Sequence, residues 1–257
     1  MNCSKYELGF ISDDDIFSHV RETVGKYRFK IDLQDFNRNL VDPIKLTFDS
    51  KVYGRTIEQI IESEALRQID KSNTNHIGYF HQNIFKYFEG WNIPSSGFDV
   101  VNESEKIFVE IKNKHNTMNS ASAQKTYMRM QNKILRDDEA TCYLLEVIAK
   151  ASQDIAWKVS VDSESMSNKN IRRISVDKFY EIVTGEKAAF ERLCNALPSV
   201  IEDVVSVAGR GHVVNSVFDE LFTISPHILK SLYLLAFQRY QGFESLKGFN
   251  DDPICCD

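Results

Sequence analysis

The stretch that decides the fold is GFDVVNESEKIFVEIKNKHNTMNS, residues 97–120. It begins with apolar and polar residues in alternation, which is typical of a β-hairpin, and it ends as a polar run. We predict a strand over 97–101, a turn around 102–105 and a second strand over 106–113. The question for function is whether the charged side chains of this hairpin only face solvent or hold a metal ion.

The segments on either side of the hairpin indicate a layered fold. Apolar residues at helical spacing predict a helix over 77–89 before the hairpin and another over 119–136 after it. The mostly apolar runs that follow predict strands over 141–150 and 156–161. The order helix, hairpin, helix, strand predicts an α/β fold, with an α+β-like mixed sheet flanked by helices.

The ends of the chain are predicted to add helices to this core. We expect one domain over residues 1–257, with its core at about 76–161 and mostly helical regions at 1–75 and 175–257. Further predicted elements are helices over 13–27, 55–70 and 175–185 and a polar loop over 71–76.

The composition is that of an ordinary globular protein. Of the 257 residues 42% are hydrophobic and 26% are charged, and no apolar run approaches the roughly 20 residues that span a bilayer. We see no secretory signal, and the five cysteines are scattered and odd in number, which favours a reducing compartment. These features predict a cytoplasmic protein with no membrane partner.

The distribution of charge is more informative than its total. The net charge is −6, which by itself disfavours a nucleic-acid partner. Residues 111–136, however, contain six basic and no acidic residues, so the rest of the chain carries −12. A basic patch of this kind on an acidic protein favours a phosphate-bearing partner.

The hairpin can bring two carboxylates together. If Ser104 and Glu105 form a two-residue loop, Asp99 lies opposite Glu110 with about 5 Å between the Cβ atoms. A register shifted by one residue would instead place the two carboxylates on opposite faces of the sheet. In the second strand Glu110 and Lys112 share a face, because side chains alternate along a strand.

This side-chain set suits Mg²⁺, which prefers oxygen ligands and takes one or two carboxylates in protein sites. Asp99 and Glu110 would bind the ion, and the backbone carbonyl of Ile111 could add a ligand. Metal coordination lowers the pKa of a bound water. Lys112 would orient that water and neutralise the developing charge. The alternative is a solvated hairpin face, but the acid-free basic window that follows makes it the poorer explanation.

The helix over 119–136 carries the basic residues as a stripe. Lys125, Arg129 and Lys133 recur at intervals of four, while Tyr127, Met130 and Ile134 form a separate apolar stripe. An ordinary amphipathic surface helix would show the same pattern. Because no acidic residue of the helix neutralises the basic stripe, we favour contact with phosphate.

These residues resemble a known superfamily. Asp99 followed by Glu110-Ile111-Lys112 is similar to the PD-(D/E)xK nuclease signature, with Phe98 in place of the usual proline. The run KNKHNTMNSASAQKTY, residues 112–127, resembles type II restriction endonucleases that cut GGNCC-type and GGWCC-type sites, and the close resemblance covers about 76–150. It implies a restriction-endonuclease-like core in which Asp99, Glu110 and Lys112 are catalytic.

The resemblance also implies a helical Glu or Gln that assists the site. Gln82 is the best match, and Glu64, on the apolar face of the preceding helix, is the weaker candidate. A carboxylate on such a face could equally pair with a cation at the edge of the core.

The polar run after the hairpin has the residue types that read DNA bases. Lys bonds guanine and Asn or Gln bonds adenine, so Lys114 is the natural reader of a guanine-containing site. For Asn119 and Ser120, capping of the helix is as good an explanation as base readout. The full set of predicted DNA-binding residues is Lys114, His115, Asn116, Asn119, Ser120, Gln124, Lys125, Arg129 and Lys133.

The sequence therefore leads to a Mg²⁺-dependent endonuclease that cuts double-stranded DNA at a short palindrome and leaves 5′-phosphate ends. A palindromic site implies a homodimer, and a restriction enzyme implies a cognate DNA methyltransferase. Two alternatives stay open: a nuclease of the same fold from repair or mobile elements with looser specificity, and a DNA-binding module that never holds metal.

Overall fold

The computed structural model describes residues 5–161, 163–237, 239–241 and 243. The end of the C-terminal region predicted over 175–257 lies outside these residues. The described chain folds into two compact units. The first comprises the described residues up to Lys26 together with His76–Gly209, and the second comprises Tyr27–Asn75 together with the described residues from Arg210 onward.

The helices and strands follow one another in mixed order. They are α1 (Asp13–Val24), β1 (Lys30–Ile31), α2 (Leu33–Asn37), α3 (Pro43–Tyr53), α4 (Ile57–Asn83), a 3₁₀ turn (Ile84–Tyr87), β2 (Val100–Asn102), β3 (Ile107–Lys114), α5 (Ser120–Arg136), β4 (Thr141–Ile148), β5 (Asp154–Val161), β6 (Glu164–Ser175), α6 (Val176–Thr184), α7 (Ala189–Ala208), β7 (Val214–Asn215), α8 (Val217–Ile224) and α9 (Ile228–Phe237). The boundary between the two units falls within α4.

The first unit is built on a five-stranded sheet with the order β2-β3-β4-β6-β5. Strands β3, β4 and β6 are parallel, whereas β2 and β5 are antiparallel to their neighbours at the two edges. The predicted α/β class, with a mixed sheet flanked by helices, is confirmed. The carboxyl ends of the three parallel strands lie at one edge, which is where α/β sheets bind ligands.

Both faces of this sheet are covered by apolar cores. On one face Phe108, Cys142 and Leu144 pack with the apolar stripe of α5. On the other face Val109 and Tyr143 belong to a second cluster, shared with residues of α1, α6 and α7. The alternation of side chains along β3 and β4 produces this division, so Glu110 and Lys112 lie on the face that α5 covers.

The second unit has a core of its own. Parallel strands β1 and β7 form a two-stranded sheet. The buried apolar residues are Ile31, Phe36, Leu46, Ile60, Ile61, Ala65, Ile69, Val217, Leu221, Ile228 and Leu232. The two units are a division by compactness. That residues 1–257 act as one nuclease domain stays a prediction.

Several element boundaries follow from local chemistry. The Ser12 hydroxyl caps α1 by accepting the Asp15 N–H at 3.1 Å, and three aspartates occupy the first turn. Helix α6 ends at Gly185, which adopts φ +74°, a conformation that glycine reaches without steric cost. Both features agree with the predicted helices over 13–27 and 175–185.

Two predictions about elements were wrong, and one strand was not predicted. Residues 71–76 form no loop but continue α4, because they contain no helix breaker and the buried Ile69 and Phe80 anchor the helix on either side. The first hairpin strand begins at Val100 instead of residue 97. Strand β6 was not predicted, because most of its side chains are polar and its first half is largely exposed.

Within the described chain, no helix is both long enough and apolar enough to cross a membrane.

Candidate active site

The hairpin of β2 and β3 brings Asp99 beside Glu110. Val100 pairs with Val109 and Asn102 with Ile107, which is the register expected from a two-residue Ser104-Glu105 loop and one of the two that the sequence left open. Asp99 lies just before β2, where its N–H donates to the Val109 carbonyl at 2.9 Å and its Oδ2 accepts the Ile111 N–H at 2.7 Å. Asp99 thus bonds the residues on both sides of Glu110.

Glu110 is almost buried and has two cationic partners. Lys112 Nζ donates to Glu110 Oε1 at 2.8 Å, and the Arg129 guanidinium from α5 donates to Oε2. Arg129 also donates to the Gly97 carbonyl at 2.8 Å and lies over the Phe98 ring at 5.1 Å. The structure therefore gathers two carboxylates and two cations at the junction of β3 and α5.

The electrostatics of Asp99 reflect this crowding. Burial raises the pKa of Asp99 above its ordinary value, and the neighbouring Glu110 adds to the increase. The Ile111 N–H, Lys112 and Arg129 act in the opposite direction. A carboxylate that is costly to charge beside another carboxylate gains from a nearby cation, so this pair suits a divalent ion.

The donor set is of the kind that Mg²⁺ takes in proteins. Asp99 and Glu110 offer carboxylate oxygens, and Ile111 lies between Glu110 and Lys112 on β3. Among the described residues, no three His, Cys, Asp or Glu side chains are grouped to hold a metal. Mg²⁺ does not require such a group, because it usually takes one or two carboxylates and keeps several waters.

The two candidate assisting residues have different surroundings. Gln82, near the end of α4, donates from Nε2 to the Asp99 carbonyl oxygen at 3.0 Å. Glu64 belongs to the second unit and accepts hydrogen bonds from Arg67 at 2.6 and 2.5 Å and from Gln68 at 3.0 Å. Burial alone would raise the pKa of Glu64, but these bonds outweigh it and lower the pKa. An ion pair accounts for Glu64, whereas Gln82 contacts the site.

The polar run after β3 includes residues with structural partners. His115 Nδ1 lies 2.9 and 3.0 Å from the carboxylate oxygens of Glu146. Asn116 adopts φ +55°, a left-handed conformation that Asn tolerates better than most residues. Asn119 caps α5 by accepting the Ser122 N–H at 2.8 Å. The capping interpretation of Asn119 has direct geometric support, and base readout stays a prediction.

The predicted DNA-binding residues otherwise lie around one pocket or along α5. A pocket of about 540 Å³ is lined by Lys114, Asn116, Ser120 and Gln124, and Gln124 donates to the Ser160 carbonyl at 2.9 Å. On α5, Lys125 is exposed and Lys133 Nζ lies 3.8 Å from the centre of the Phe108 ring. The basic stripe is partly neutralised after all, since Glu110 pairs with Arg129 from the neighbouring strand.

Sequence reasoning missed Glu146 and Arg173. Glu146 is the register partner of Lys112 on β4, and its side chain is only 2% exposed. Arg173 on β6 lies beside it, with Nε 3.4 Å from Glu146 Oε1. The available signal was a single carboxylate in the otherwise apolar run TCYLLEVIAK, residues 141–150, because buried carboxylates need partners.

Comparison with known proteins places the chain in a family. The chain is 32% identical over 213 residues to the type II restriction enzyme Sau96I of Staphylococcus aureus, covering 78% of this chain and 81% of that enzyme. It is 31% identical over 212 residues to the type II restriction enzyme Eco47II of Escherichia coli, covering 77% and 88%. Residues 8–206 match the profile of the Eco47II restriction endonuclease family. The chain belongs to this family and is a type II restriction endonuclease.

Proposed function

We propose that the protein hydrolyses double-stranded DNA at a short GGNCC-like palindrome in a reaction that depends on Mg²⁺. The observation that carries the proposal is the group formed by Asp99, Glu110 and Lys112 at the end of β3, next to the basic helix α5. The resemblance of residues 112–127 to enzymes for GGNCC-type and GGWCC-type sites supports the choice of site.

Asp99, Glu110 and the Ile111 carbonyl would hold the metal ion. When bound, a divalent ion lowers the pKa of a coordinated water and stabilises negative charge on the phosphate. Lys112, whose Nζ lies 2.8 Å from Glu110, would orient the attacking water and neutralise charge on the phosphate oxygens. Gln82 would hold the backbone of Asp99 in place through its bond to the carbonyl oxygen.

The reaction breaks one P–O3′ bond in each strand and leaves a 5′-phosphate and a 3′-hydroxyl. Lys114 is proposed to read guanine. His115, Asn116, Asn119, Ser120 and Gln124 are proposed to contact bases or phosphates, and Lys125, Arg129 and Lys133 to contact the backbone.

Cleavage of both strands of a palindrome would be carried out by a homodimer, since half-site symmetry mirrors protein symmetry. The enzyme would act in a prokaryotic cytoplasm beside a DNA methyltransferase that protects the host.

The test is digestion of an unmethylated plasmid of known sequence with Mg²⁺, followed by sequencing of the fragment ends. We expect discrete fragments whose 5′-phosphate ends all map to one palindrome, and no cleavage with excess EDTA. A smear of ends without a common sequence would indicate a nuclease of looser specificity. DNA binding without cleavage at any Mg²⁺ or Mn²⁺ concentration would indicate a binding module and contradict the proposal.

A further inference from the structure

The pocket of about 540 Å³ adjoins Lys112 and extends away from Asp99 and Glu110 along the sheet. Its walls come from β3, residues 114–118, the first turns of α5, and strands β4, β5 and β6. We propose that this pocket binds a DNA backbone phosphate that is not hydrolysed, through Arg173, and that Glu146 is the positioning residue for Arg173. The inference rests on the proposed DNA cleavage and adds a binding site to it.

The charge of the pocket favours an anion. Lys112, Lys114, Lys158 and Arg173 line it, and Glu146 is the one carboxylate among its described lining residues. That carboxylate already lies against His115 and Arg173, so it does little to offset the lysines. Polar side chains of Asn116, Ser120, Gln124, Ser160 and Ser163 complete the walls. A phosphodiester is the anion that this enzyme's substrate carries at every nucleotide.

Glu146 is buried, and burying an ionised carboxylate carries a desolvation penalty. It faces the same side of the sheet as Lys112, its register partner on β3, and has a side-chain exposure of 2%. A buried charge is tolerated when it is paired, and Glu146 has His115 Nδ1 at 2.9 Å and Arg173 Nε at 3.4 Å. Its position holds two nitrogen-bearing side chains at the edge of the pocket, next to the proposed catalytic lysine.

Arg173 is oriented but retains hydrogen-bonding capacity. It is the register partner of Leu144 and therefore faces the α5 side, where its guanidinium lies 5.8 Å from the centre of the Trp157 ring. The Nε is buried and, despite its 3.4 Å approach to Glu146, makes no well-directed hydrogen bond. In the described part of the chain, no hydrogen bond engages its terminal amino groups. A guanidinium of this kind suits bidentate binding of phosphate.

The positions of three side chains along the sheet fit the binding of a second DNA phosphate, next to the one that is hydrolysed. Lys112, Glu146 and Arg173 lie on β3, β4 and β6, neighbouring parallel strands, and all three side chains face α5. A DNA strand whose reacting phosphate lies at Lys112 carries its adjacent phosphates across this surface. The pocket then fixes the course of the backbone relative to the reacting group, which is how phosphate contacts act in DNA-binding proteins.

The test measures the salt dependence of binding to a duplex containing the mapped cleavage site, with Ca²⁺ in place of Mg²⁺ so that the duplex stays intact. The slope of log K against log salt is negative, and each phosphate contact contributes about 1 to its magnitude. For Arg173→Met we expect the magnitude of the slope to fall by about 1, because one phosphate contact is lost. The matched control is Arg172→Met, since Arg172 is adjacent on β6 but pairs with Asp154. The control should keep the wild-type slope.

A further variant separates positioning from folding. Glu146→Gln should make the slope less steep, and the double variant with Arg173→Met should change it no further than Arg173→Met alone, because both act through one contact.

The outcomes distinguish this inference from the proposed function. A folded Arg173→Met protein with the wild-type slope would overturn the inference, as would an Arg172→Met protein that loses as much slope. A wild-type protein that binds no duplex would overturn the proposed function and the inference together.

Discussion

Glu110 has a cation on each of its two carboxylate oxygens, Lys112 from its own strand and Arg129 from α5. The proposed metal would need at least one of these oxygens. Arg129 therefore competes with the metal at Glu110 and is itself a candidate for contact with DNA phosphate. One side chain links the acidic hairpin to the basic helix, and this link was not visible in the sequence.

The Arg129→Met variant tests this competition. We predict that its affinity for Mn²⁺ in the absence of DNA rises roughly two- to fivefold, because removing a partly exposed ion pair of up to about 1 kcal/mol frees Glu110 Oε2. Isothermal titration calorimetry measures the affinity, and Lys125→Met, one turn earlier on α5, is the matched control. An unchanged or weaker affinity in Arg129→Met would show that Arg129 does not oppose the metal.

A second prediction at this scale concerns Lys114, which is exposed and lines the pocket. Lys114→Ala should lose discrimination between the cognate site and sites changed at guanine by about 1–3 kcal/mol per lost contact, because lysine bonds O6 and N7 of guanine. Cleavage rates on cognate and singly altered duplexes give the ratio. An equal loss on every duplex would assign Lys114 to phosphate instead.

At the scale of elements, α5 both packs on the sheet and begins beside the pocket. The Asn119 side chain caps it, so Asn119→Ala should lower the free energy of unfolding by about 1 kcal/mol. Asn119→Asp should restore that stability, because Asp is an equally good cap and its charge suits the helix dipole. Urea unfolding measures both variants, and a loss in Asn119→Asp as large as in Asn119→Ala would contradict the capping role.

Cleavage by Asn119→Asp then separates capping from readout. A wild-type rate would leave capping as the sole role of Asn119. A large loss of rate in this stable variant would support contact with DNA, because a carboxylate there repels phosphate and cannot donate to adenine.

Helix α1 gives a prediction about pH. His19 is buried, with Nε2 2.9 Å from the Phe80 carbonyl oxygen, and burial lowers its pKa from 6.5 to about 4. Between these values the unfolded chain binds a proton that the folded chain does not, so stability falls as pH decreases from 6.5 towards 4. The loss from this residue amounts to about 3 kcal/mol at most.

Urea unfolding at pH 7 and pH 4.5 measures the effect. In His19→Leu the decrease in stability between the two pH values should be clearly smaller than in wild type. It should not vanish, because burial also lowers the pKa of His81 to about 4. An identical decrease in both proteins would show that His19 takes up its proton as easily when folded as when unfolded.

The helices and strands differ in how well they could be predicted from the sequence. The end of α6 was predictable because Gly185 marks it, and the hairpin register and the cap of α5 were among the alternatives that the sequence left open. Strand β6 was not predictable, because it is largely polar. It is stabilised by pairing with β4, which is distant in sequence, and with the antiparallel β5. The polar middle of α4, residues 71–76, was likewise predicted as a loop, although it contains no helix breaker and continues the helix.

At the scale of the whole molecule, the family match over residues 8–206 is wider than the resemblance visible at 76–150. The close resemblance includes the hairpin, α5 and β4, and the hairpin and α5 carry the proposed catalytic and DNA-binding residues. Glu146 and Arg173 were missed because they meet Lys112 only through the pairing of three strands. Site residues that are close in the chain can therefore be predicted from the sequence. Residues that come together only across the sheet can be identified only from the fold.

Asp99 is proposed to bind the catalytic metal ion, in addition to its hydrogen bond within the hairpin. The most direct measurement compares Asp99→Asn with wild type in Mg²⁺-dependent cleavage and in binding of the same duplex. Asparagine keeps an oxygen that can accept the Ile111 N–H but removes the charge that would bind metal. We predict that cleavage falls by at least about 100-fold, a loss of roughly 3 kcal/mol or more in transition-state stabilisation, while DNA affinity stays within a few-fold. Cleavage by Asp99→Asn at the wild-type rate would contradict the account.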